Sequence, residues 1–390
     1  DLPRRRVSAK RRPLRRQTAM GLDVRQKLAI LSDDSKYDLS CSCGSDEQSR
    51  RRRGLDGTWL YPVQLAAGGT GIMLKTLLSN VCTSDCAYCP LRQNGIANRC
   101  SLTPDEMADV FMETLRRRWL LGIFLSSGIV GTADATMERL VAAAEILRRK
   151  HAYRGYIHLK IIPGASEAAI RRAMQLASAI SLNIEVPGAR YFSQLSRYKR
   201  FDADIVAPIK YMAEQTARGA EFSRIKCTTQ FIVGAADETD RDIVRYTGAI
   251  YGRLKFKRVY FSAYQPPREA TFSLDDGANA ARLVREHRLY QTDFLLRKYR
   301  FAPEEIAFDA AGNLDLAVDP KQRWADLHPE CYPVKVNTAD RAQLLRVPGL
   351  GPTHVARILE MRRERQIRSW LDIGLVGRNA LKPLRYAVFS

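Results

Sequence analysis

The stretch Ile72-Met73-Leu74-Lys75-Thr76-Leu77-Leu78-Ser79-Asn80-Val81-Cys82-Thr83-Ser84-Asp85-Cys86-Ala87-Tyr88-Cys89 joins an apolar run to three closely spaced cysteines. The run from Ile72 to Leu78 has the length and apolar character of a buried strand. The three thiols, on a loop that also carries Pro90, can grip three corners of one iron–sulfur cluster. A cubane cluster has four irons, so three protein ligands leave one iron open, whereas ferredoxin spacing supplies all four. A structural zinc site takes a fourth Cys or His nearby, and the next here is Cys100, beyond a polar stretch. A zinc loop and three unrelated buried thiols remain open as readings of the same residues. An open iron points to chemistry rather than to storage of electrons.

Outward from this loop, strand-like and helix-like segments alternate from residue 71 to about 299. Further apolar runs lie at Ile123-Phe124-Leu125, Tyr156-Ile157-His158-Leu159-Lys160-Ile161-Ile162, Ile180-Ser181-Leu182-Asn183-Ile184-Glu185-Val186, Gln230-Phe231-Ile232-Val233 and Val259-Tyr260-Phe261-Ser262-Ala263. Between them are amphipathic stretches such as Met137, Leu140, Val141, Ala144 and Leu147, which share one helical face. Repeated βα alternation predicts a parallel sheet with helices outside. Six units are too few to close an eight-stranded barrel. In barrels of this kind the reactive groups sit at strand C-terminal ends, where the cysteine loop falls.

The chain has 390 residues, 45% of them hydrophobic, enough for one large domain and a small one. No apolar run reaches membrane-spanning length, so no membrane partner is expected. Eight cysteines in such a chain make no disulfide scaffold and fit a reducing, cytoplasmic setting. The net charge of +21 is concentrated at the two ends. Residues 1–53 hold 15 basic against 7 acidic groups, and residues 336–390 hold 10 against 4. Basic ends on a nearly balanced body suit a polyanion, because Lys and Arg release its condensed counterions.

Cys82, Cys86 and Cys89, with Tyr88 just before the last, form a CxxxCxxC signature that resembles that of the radical S-adenosylmethionine enzymes. The resemblance implies an α/β fold with a partial (βα)6 barrel. It also implies a [4Fe–4S] cluster on these three cysteines, with S-adenosylmethionine chelating the fourth iron through its amine and carboxylate. The family's Gly-Gly-Glu turn after the second strand reads Ser126-Ser127-Gly128 here, without the carboxylate. Asn183 and Glu185 alternate with apolar neighbours on the fourth expected strand, so both should face inward, as cofactor ligands or as ordinary lumen polar groups. Gln230 to Asp237 resembles a degenerate GxIxGxxE adenine segment, in which Gly234 would allow close backbone approach. Tyr88 is placed to meet the adenine.

At the C-terminal end, Val347-Pro348-Gly349-Leu350-Gly351-Pro352-Thr353-His354-Val355-Ala356-Arg357-Ile358 resembles a helix–hairpin–helix motif. Asn337 is expected to cap its first helix. Glycines at such a turn let backbone N–H groups face a phosphate at a helix N-terminus. The motif implies nucleic-acid contact through Gly349, Leu350, Gly351, Thr353 and Arg357, with Arg362, Arg363, Arg365 and Arg368 adding charge. A hairpin used only for protein packing is the alternative. Asp372-Ile373-Gly374-Leu375-Val376 repeats the pattern weakly.

Lys36-Tyr37-Asp38-Leu39-Ser40-Cys41, Pro163-Gly164-Ala165-Ser166 and Arg285-Glu286-His287-Arg288-Leu289-Tyr290-Gln291 extend the likeness. Together with the motifs above they resemble the radical S-adenosylmethionine proteins assigned to DNA modification or repair. The expected organisation is a disordered basic tail (1–23), an N-terminal extension (24–70), the barrel (71–300), a linker (301–335) and a small all-α helix–hairpin–helix domain (336–390). The resemblance implies generation of a 5′-deoxyadenosyl radical that abstracts hydrogen from DNA. Implied partners are DNA, held by the hairpin and the basic N-terminal segment, a flavodoxin or ferredoxin reductant, and a uracil-DNA-glycosylase-like protein. Modification of tRNA or other RNA, and a non-enzymatic iron–sulfur DNA-binding or redox-sensing role, are the competing functions. Cys41, Cys43, Cys100, Cys227 and Cys331 show no spacing for a second cluster.

Overall fold

In the computed structural model the described residues are 21–35, 52–53, 59–64, 70–95, 98–265 and 276–389. The expected disorder of the extreme N-terminal tail, its nucleic-acid role, and the readings of Cys41 and Cys43 lie outside them. Ten strands are described: β1 Arg52–Arg53, β2 Trp59–Gln64, β3 Thr70–Leu77, β4 Gly122–Ser126, β5 Tyr156–Lys160, β6 Ala179–Ser181, β7 Lys226–Val233, β8 Arg258–Ala263, β9 Val334–Lys335 and β10 Ala387–Val388. The helices are α1 Val24–Asp34, α2 Pro104–Arg117, α3 Ala133–Arg149, α4 Glu167–Leu176, α5 Ala189–Phe192 and α6 Ala207–Gln215. After them come α7 Asp240–Gly252, α8 Asp276–Lys298, α9 Pro320–Leu327, α10 Arg341–Arg346 and α11 Pro352–Met361.

Strands β1 to β8 lie side by side in chain order, and β3 to β8 are all parallel. No pairing joins β8 back to β1 among the described residues, so the sheet is a half-barrel of six βα units, as expected. Strands β3 to β6 end level, Leu77 pairing with Ser126 and Lys160 with Ser181, whereas β7 runs on past its pairing of Thr228 with Ser181 and ends with β8 at Val233 and Ala263. The cofactor-site residues anticipated above end or follow these strands at their C-termini.

Helix α3 shows how the sequence builds the outer layer. Thr132 caps it, and Met137, Leu140, Val141, Ala144 and Leu147 are all buried, the face read from their spacing. Helix α2 starts with Pro104 and a reciprocal capping box between Thr103 and Glu106.

The N-terminal extension is part of the sheet rather than an appendage. Strands β1 and β2 add to it in antiparallel fashion, and α1, capped by Asp23 with Gln26, buries Leu28 and Leu31. The segment 301–335 is not a free linker either. Phe301, Ile306, Leu314, Trp324 and Val334 are buried, and Arg346 of α10 pairs with Glu305 at 2.5 Å. The C-terminal module is helical, with one small addition: β9 and β10 form a parallel pair. Two further expectations need correcting. Strand β6 stops at Ser181, so Asn183 and Glu185 lie beyond it. Asp340, not Asn337, caps α10, through a capping box with Gln343. Asn337 instead staples the module, donating to the Ile367 and Phe389 carbonyls and accepting from the Ile367 N–H at 2.9 Å.

Candidate cluster and cofactor site

The cysteine loop leaves β3 at the strand C-termini and is held there by its own backbone and by the polar side chains of Asn80, Arg99 and Asp85. Asn80 is fully satisfied: its amide donates to Asp34 and the Asn98 carbonyl at 2.7 Å and accepts from the Cys100 N–H. The Arg99 guanidinium gathers the carbonyls of Asn80, Leu91, Arg92 and Gly95, closing the far side of the loop. Asp85 faces the other way, accepting from the Ser196 hydroxyl at 2.5 Å and the Arg197 N–H at 2.7 Å. Burial alone would raise the Asp85 pKa, but these hydrogen bonds outweigh it and hold the carboxyl below 3.8.

Cys82, Cys86 and Cys89 all line one cleft, about 800 Å³ of space continuous with solvent. The Cys82 sulfur receives the N–H groups of Ser84 and Ile129, each at 3.4 Å. The Cys86 sulfur lies 3.3 Å from the Ser84 hydroxyl and 3.0 Å from the Lys199 ammonium. Burial, reinforced by the neighbouring Cys86, pushes the Cys89 thiol up to about 12. Burial would depress Lys199, yet Cys86, Glu185 and Cys82 together raise it, so the side chain stays cationic. Three soft donors, a cation and sulfur-directed N–H groups form a donor set suited to an anionic thiolate cluster.

The opposite wall holds the predicted cofactor residues. Ser126, Ser127 and Gly128 line the cleft, as do Asn183 and Glu185. Gly128 is pressed against the cysteine loop: its N–H donates to the Ser79 carbonyl at 2.7 Å, and a Cβ there would sit 2.3 Å from the Val81 oxygen. The Tyr88 hydroxyl donates to Glu185 at 2.7 Å, and burial followed by the Glu185 charge raises its pKa well above 10.0. Glu185 reaches the cleft by a route that strand alternation does not describe. Its φ is +65°, and its N–H and C=O pair with Gln230 and Ile232 of β7. The Asn183 amide then meets the Glu185 carboxylate at 3.4 Å.

Gly234 is not part of this wall. It follows β7, and its N–H donates to Glu238 at 2.5 Å, with the Ala236 N–H on the same carboxylate at 3.1 Å. The carboxylate that organises this turn is thus Glu238, one residue beyond the expected Asp237, which accepts from Gln194. Lys160 and Lys199 also line the cleft. Sequence reasoning missed both, since Lys199 arrives from a loop more than a hundred residues away and no spacing links it to the cysteines. Cys100, Cys227 and Cys331 lie outside the cleft.

The hairpin residues form a separate surface. Leu350 is buried, and the half-buried Gly351 begins α11 without a side-chain cap, so the first-turn N–H groups, Thr353 among them, have no side-chain acceptor. Gly349 has a φ of +88°, and a Cβ there would lie 2.8 Å from Pro383 and 2.9 Å from Lys382. Arg357 is exposed, but its guanidinium donates to the Ile373 carbonyl at 2.8 Å. Arg362 turns inward to the Ala339 carbonyl at 2.5 Å and is not a surface cation. In the stretch read as a weak repeat, short 3-10 turns Trp370–Ile373 and Gly377–Ala380 flank Gly374 to Val376. Beneath the hairpin, the Lys321 ammonium donates to the Leu350 carbonyl at 2.6 Å, and burial lowers its pKa to about 7.

No helix among the described residues is long and apolar enough to cross a membrane. No protein-family profile and no curated protein matches the chain. Among solved structures, HydG, a maturase of the [FeFe]-hydrogenase, is similar over 57% of this chain and 50% of its own, at 13% identity and a TM-score of 0.42. Methylornithine synthase (PylB) is similar over 57% of this chain and 62% of its own, at 16% identity and a TM-score of 0.43. The anSMEcpe structure with bound AdoMet covers 57% and 61%, at 15% identity and a TM-score of 0.38. The aligned region thus spans between half and two thirds of each of these proteins.

Proposed function

We propose that this chain is a radical S-adenosylmethionine enzyme acting on nucleic acid, most readily DNA in modification or repair. The observation that carries the first half is the convergence of Cys82, Cys86 and Cys89 with Ser126 to Gly128, Asn183 and Glu185 on one cleft at the strand C-termini. When bound there, a [4Fe–4S] cluster and S-adenosylmethionine supply reductive cleavage of the sulfonium and hence hydrogen-atom abstraction. The three cysteines hold the cluster, and Lys199 balances thiolate charge at Cys86. Backbone and hydroxyl groups of Ser126 to Gly128 take the amino-acid end of the cofactor in place of the absent carboxylate. Asn183 and Glu185 offer an amide and a carboxylate to its hydroxyl groups, while Tyr88 orients Glu185 and covers the cysteine loop. Apolar Ile129, Ile161, Ile162 and Ile232 line the cleft beside the charged Asp34 and Lys160 and reduce the water that reaches its floor. A flavodoxin or ferredoxin supplies the electron, and a uracil-DNA-glycosylase-like protein is a candidate companion.

The nucleic-acid half is supported by the hairpin geometry and the charge of the module. Such a turn positions a phosphate backbone and reads no sequence. Gly349 is a poor place to test it, because any side chain there collides with Lys382 and Pro383. At Gly351 a Cβ would meet only the Tyr299 hydroxyl, at 3.5 Å, and Thr353 is exposed. Gly351→Glu with Thr353→Glu should lower affinity for duplex DNA at least tenfold and flatten its salt dependence. Unchanged affinity and slope would remove the hairpin from the account, and tighter binding to tRNA than to DNA would favour RNA modification.

A further inference from the structure

Among the described residues of the barrel the two most exposed aromatic side chains are Trp119, 68% exposed, and Tyr198, 66% exposed. Trp119 precedes β4 and so lies at the strand N-termini, away from the cysteine loop. Tyr198 is at the other end, next to Lys199, which lines the cleft and touches Cys86.

An exposed loop aromatic ordinarily rests on a soft backbone. This one does not. The Ala87 N–H donates to the Leu195 carbonyl at 2.8 Å, and Asp85 holds the Ser196 hydroxyl and the Arg197 N–H. The Tyr198 and Lys199 N–H groups fold back to the Ser196 hydroxyl at 3.3 and 3.2 Å. Residues 195–199 are therefore stapled to the cysteine loop, so the exposed Tyr198 stands on an anchored backbone beside the cleft that Lys199 lines. Arginines neighbour it in the chain on both sides. Arg197 is exposed, and the Arg200 side chain, 81% exposed, has Asp204 3.9 Å away.

An exposed aromatic side chain on an anchored backbone, with an arginine one residue before it and another two residues after it, matches the chemistry of an unpaired nucleobase with its neighbouring phosphates. Every base offers a π-face for stacking, and the phosphates meet the cations. A base inside a duplex cannot reach a cleft floor without leaving the stack. We infer that Tyr198 is a stacking platform for an unpaired base at the cleft mouth, with Arg197 and Arg200 taking the adjoining phosphates. The substrate presented to the cleft is then single-stranded or locally opened nucleic acid. This rests on the nucleic-acid reading above and specifies its substrate.

The test is equilibrium binding of the full chain to three fluorescent oligonucleotides: a single strand, a duplex with one bulged base, and a fully paired duplex. Tyr198→Ala should weaken binding to the first two about tenfold and leave the paired duplex unchanged, with Tyr198→Trp restoring affinity. Arg197→Gln with Arg200→Gln should make the single-strand salt slope shallower by roughly 1.4. If wild type binds these ligands and Tyr198→Ala binds all three equally well, the platform is refuted and the nucleic-acid reading stands. If wild type binds none of them, the parent reading fails and takes the platform with it.

Discussion

Replacing Gly128 by alanine adds one methyl group at the contact on which the cofactor wall and the cysteine loop depend. The new carbon would lie 2.3 Å from the Val81 carbonyl oxygen, 3.0 Å from the Val81 carbonyl carbon and 3.1 Å from the Cys82 Cβ. The oxygen belongs to backbone and cannot rotate aside. Nor can the two segments part freely: Gly128 donates to the Ser79 carbonyl, and the Thr83 N–H donates to the Ile129 carbonyl at 2.9 Å. Restoring an ordinary contact requires a shift of about 1 Å, and overpacking of this kind costs about 1–3 kcal/mol. The shift also exceeds the roughly 0.5 Å within which a metal site keeps its geometry, and it falls on Cys82. Gly128→Ala should therefore melt several degrees below wild type and bind well under half the wild-type iron after anaerobic reconstitution. Gly252→Ala is the matched control, because Gly252 ends α7 with nothing within 4 Å of its added carbon. It should keep full iron and gain a few tenths of a kcal/mol from helix propensity. Wild-type melting and iron content in Gly128→Ala would refute the reasoning.

Lys199→Met removes a cation 3.0 Å from the Cys86 sulfur, so the reduction potential of the reconstituted cluster should fall on the order of 50 to 100 mV. An unchanged midpoint in a redox titration would deny Lys199 that role. Asp85→Ala severs the staple to Ser196 and Arg197; amide exchange across 195–199 should accelerate at least tenfold, and equal protection would show the loop is held by other contacts. Lys321 carries a pKa lowered from 10.5 to about 7 by burial. The unfolded chain binds this proton more tightly, so its penalty is complete below pH 7 and fades as pH rises toward 10.5. Wild-type stability should therefore include a component that rises across that window and is missing from Lys321→Met. Parallel urea-unfolding profiles for the two proteins would contradict this.

The number of βα units and the place of the cysteine loop were legible because buried parallel strands read as apolar runs between amphipathic helices. The face of α3 followed from local chemistry alone. Strand β2 was hidden by Pro62, which a paired strand rarely tolerates, although it pairs with Ile72 here. The segment 301–335 read as a linker because Phe301, Ile306, Leu314 and Trp324 follow no single period; tertiary packing brings Phe301 and Trp324 edge to face, with Arg346 of α10 over both rings. Asn183 and Glu185 were correctly brought to the cleft for an incorrect reason. Strand β6 ends before them, and the left-handed turn at Glu185 together with its pairing to β7 is a tertiary outcome. Lys199 and the Asp85 staple were out of reach, since each depends on loops meeting across the sheet edge, whereas Lys160 closes a strand that the sequence showed and reads there as one polar residue in an apolar run.

The central claim is that Cys82, Cys86 and Cys89 hold one cluster whose open iron binds S-adenosylmethionine. Anaerobic reconstitution with quantitation of metal and sulfide, followed by addition of dithionite and S-adenosylmethionine, tests it directly. The prediction is about four irons and four sulfides per chain, release of 5′-deoxyadenosine, and loss of both in Cys86→Ala. Stoichiometric zinc, or full iron loading with no 5′-deoxyadenosine, would contradict it.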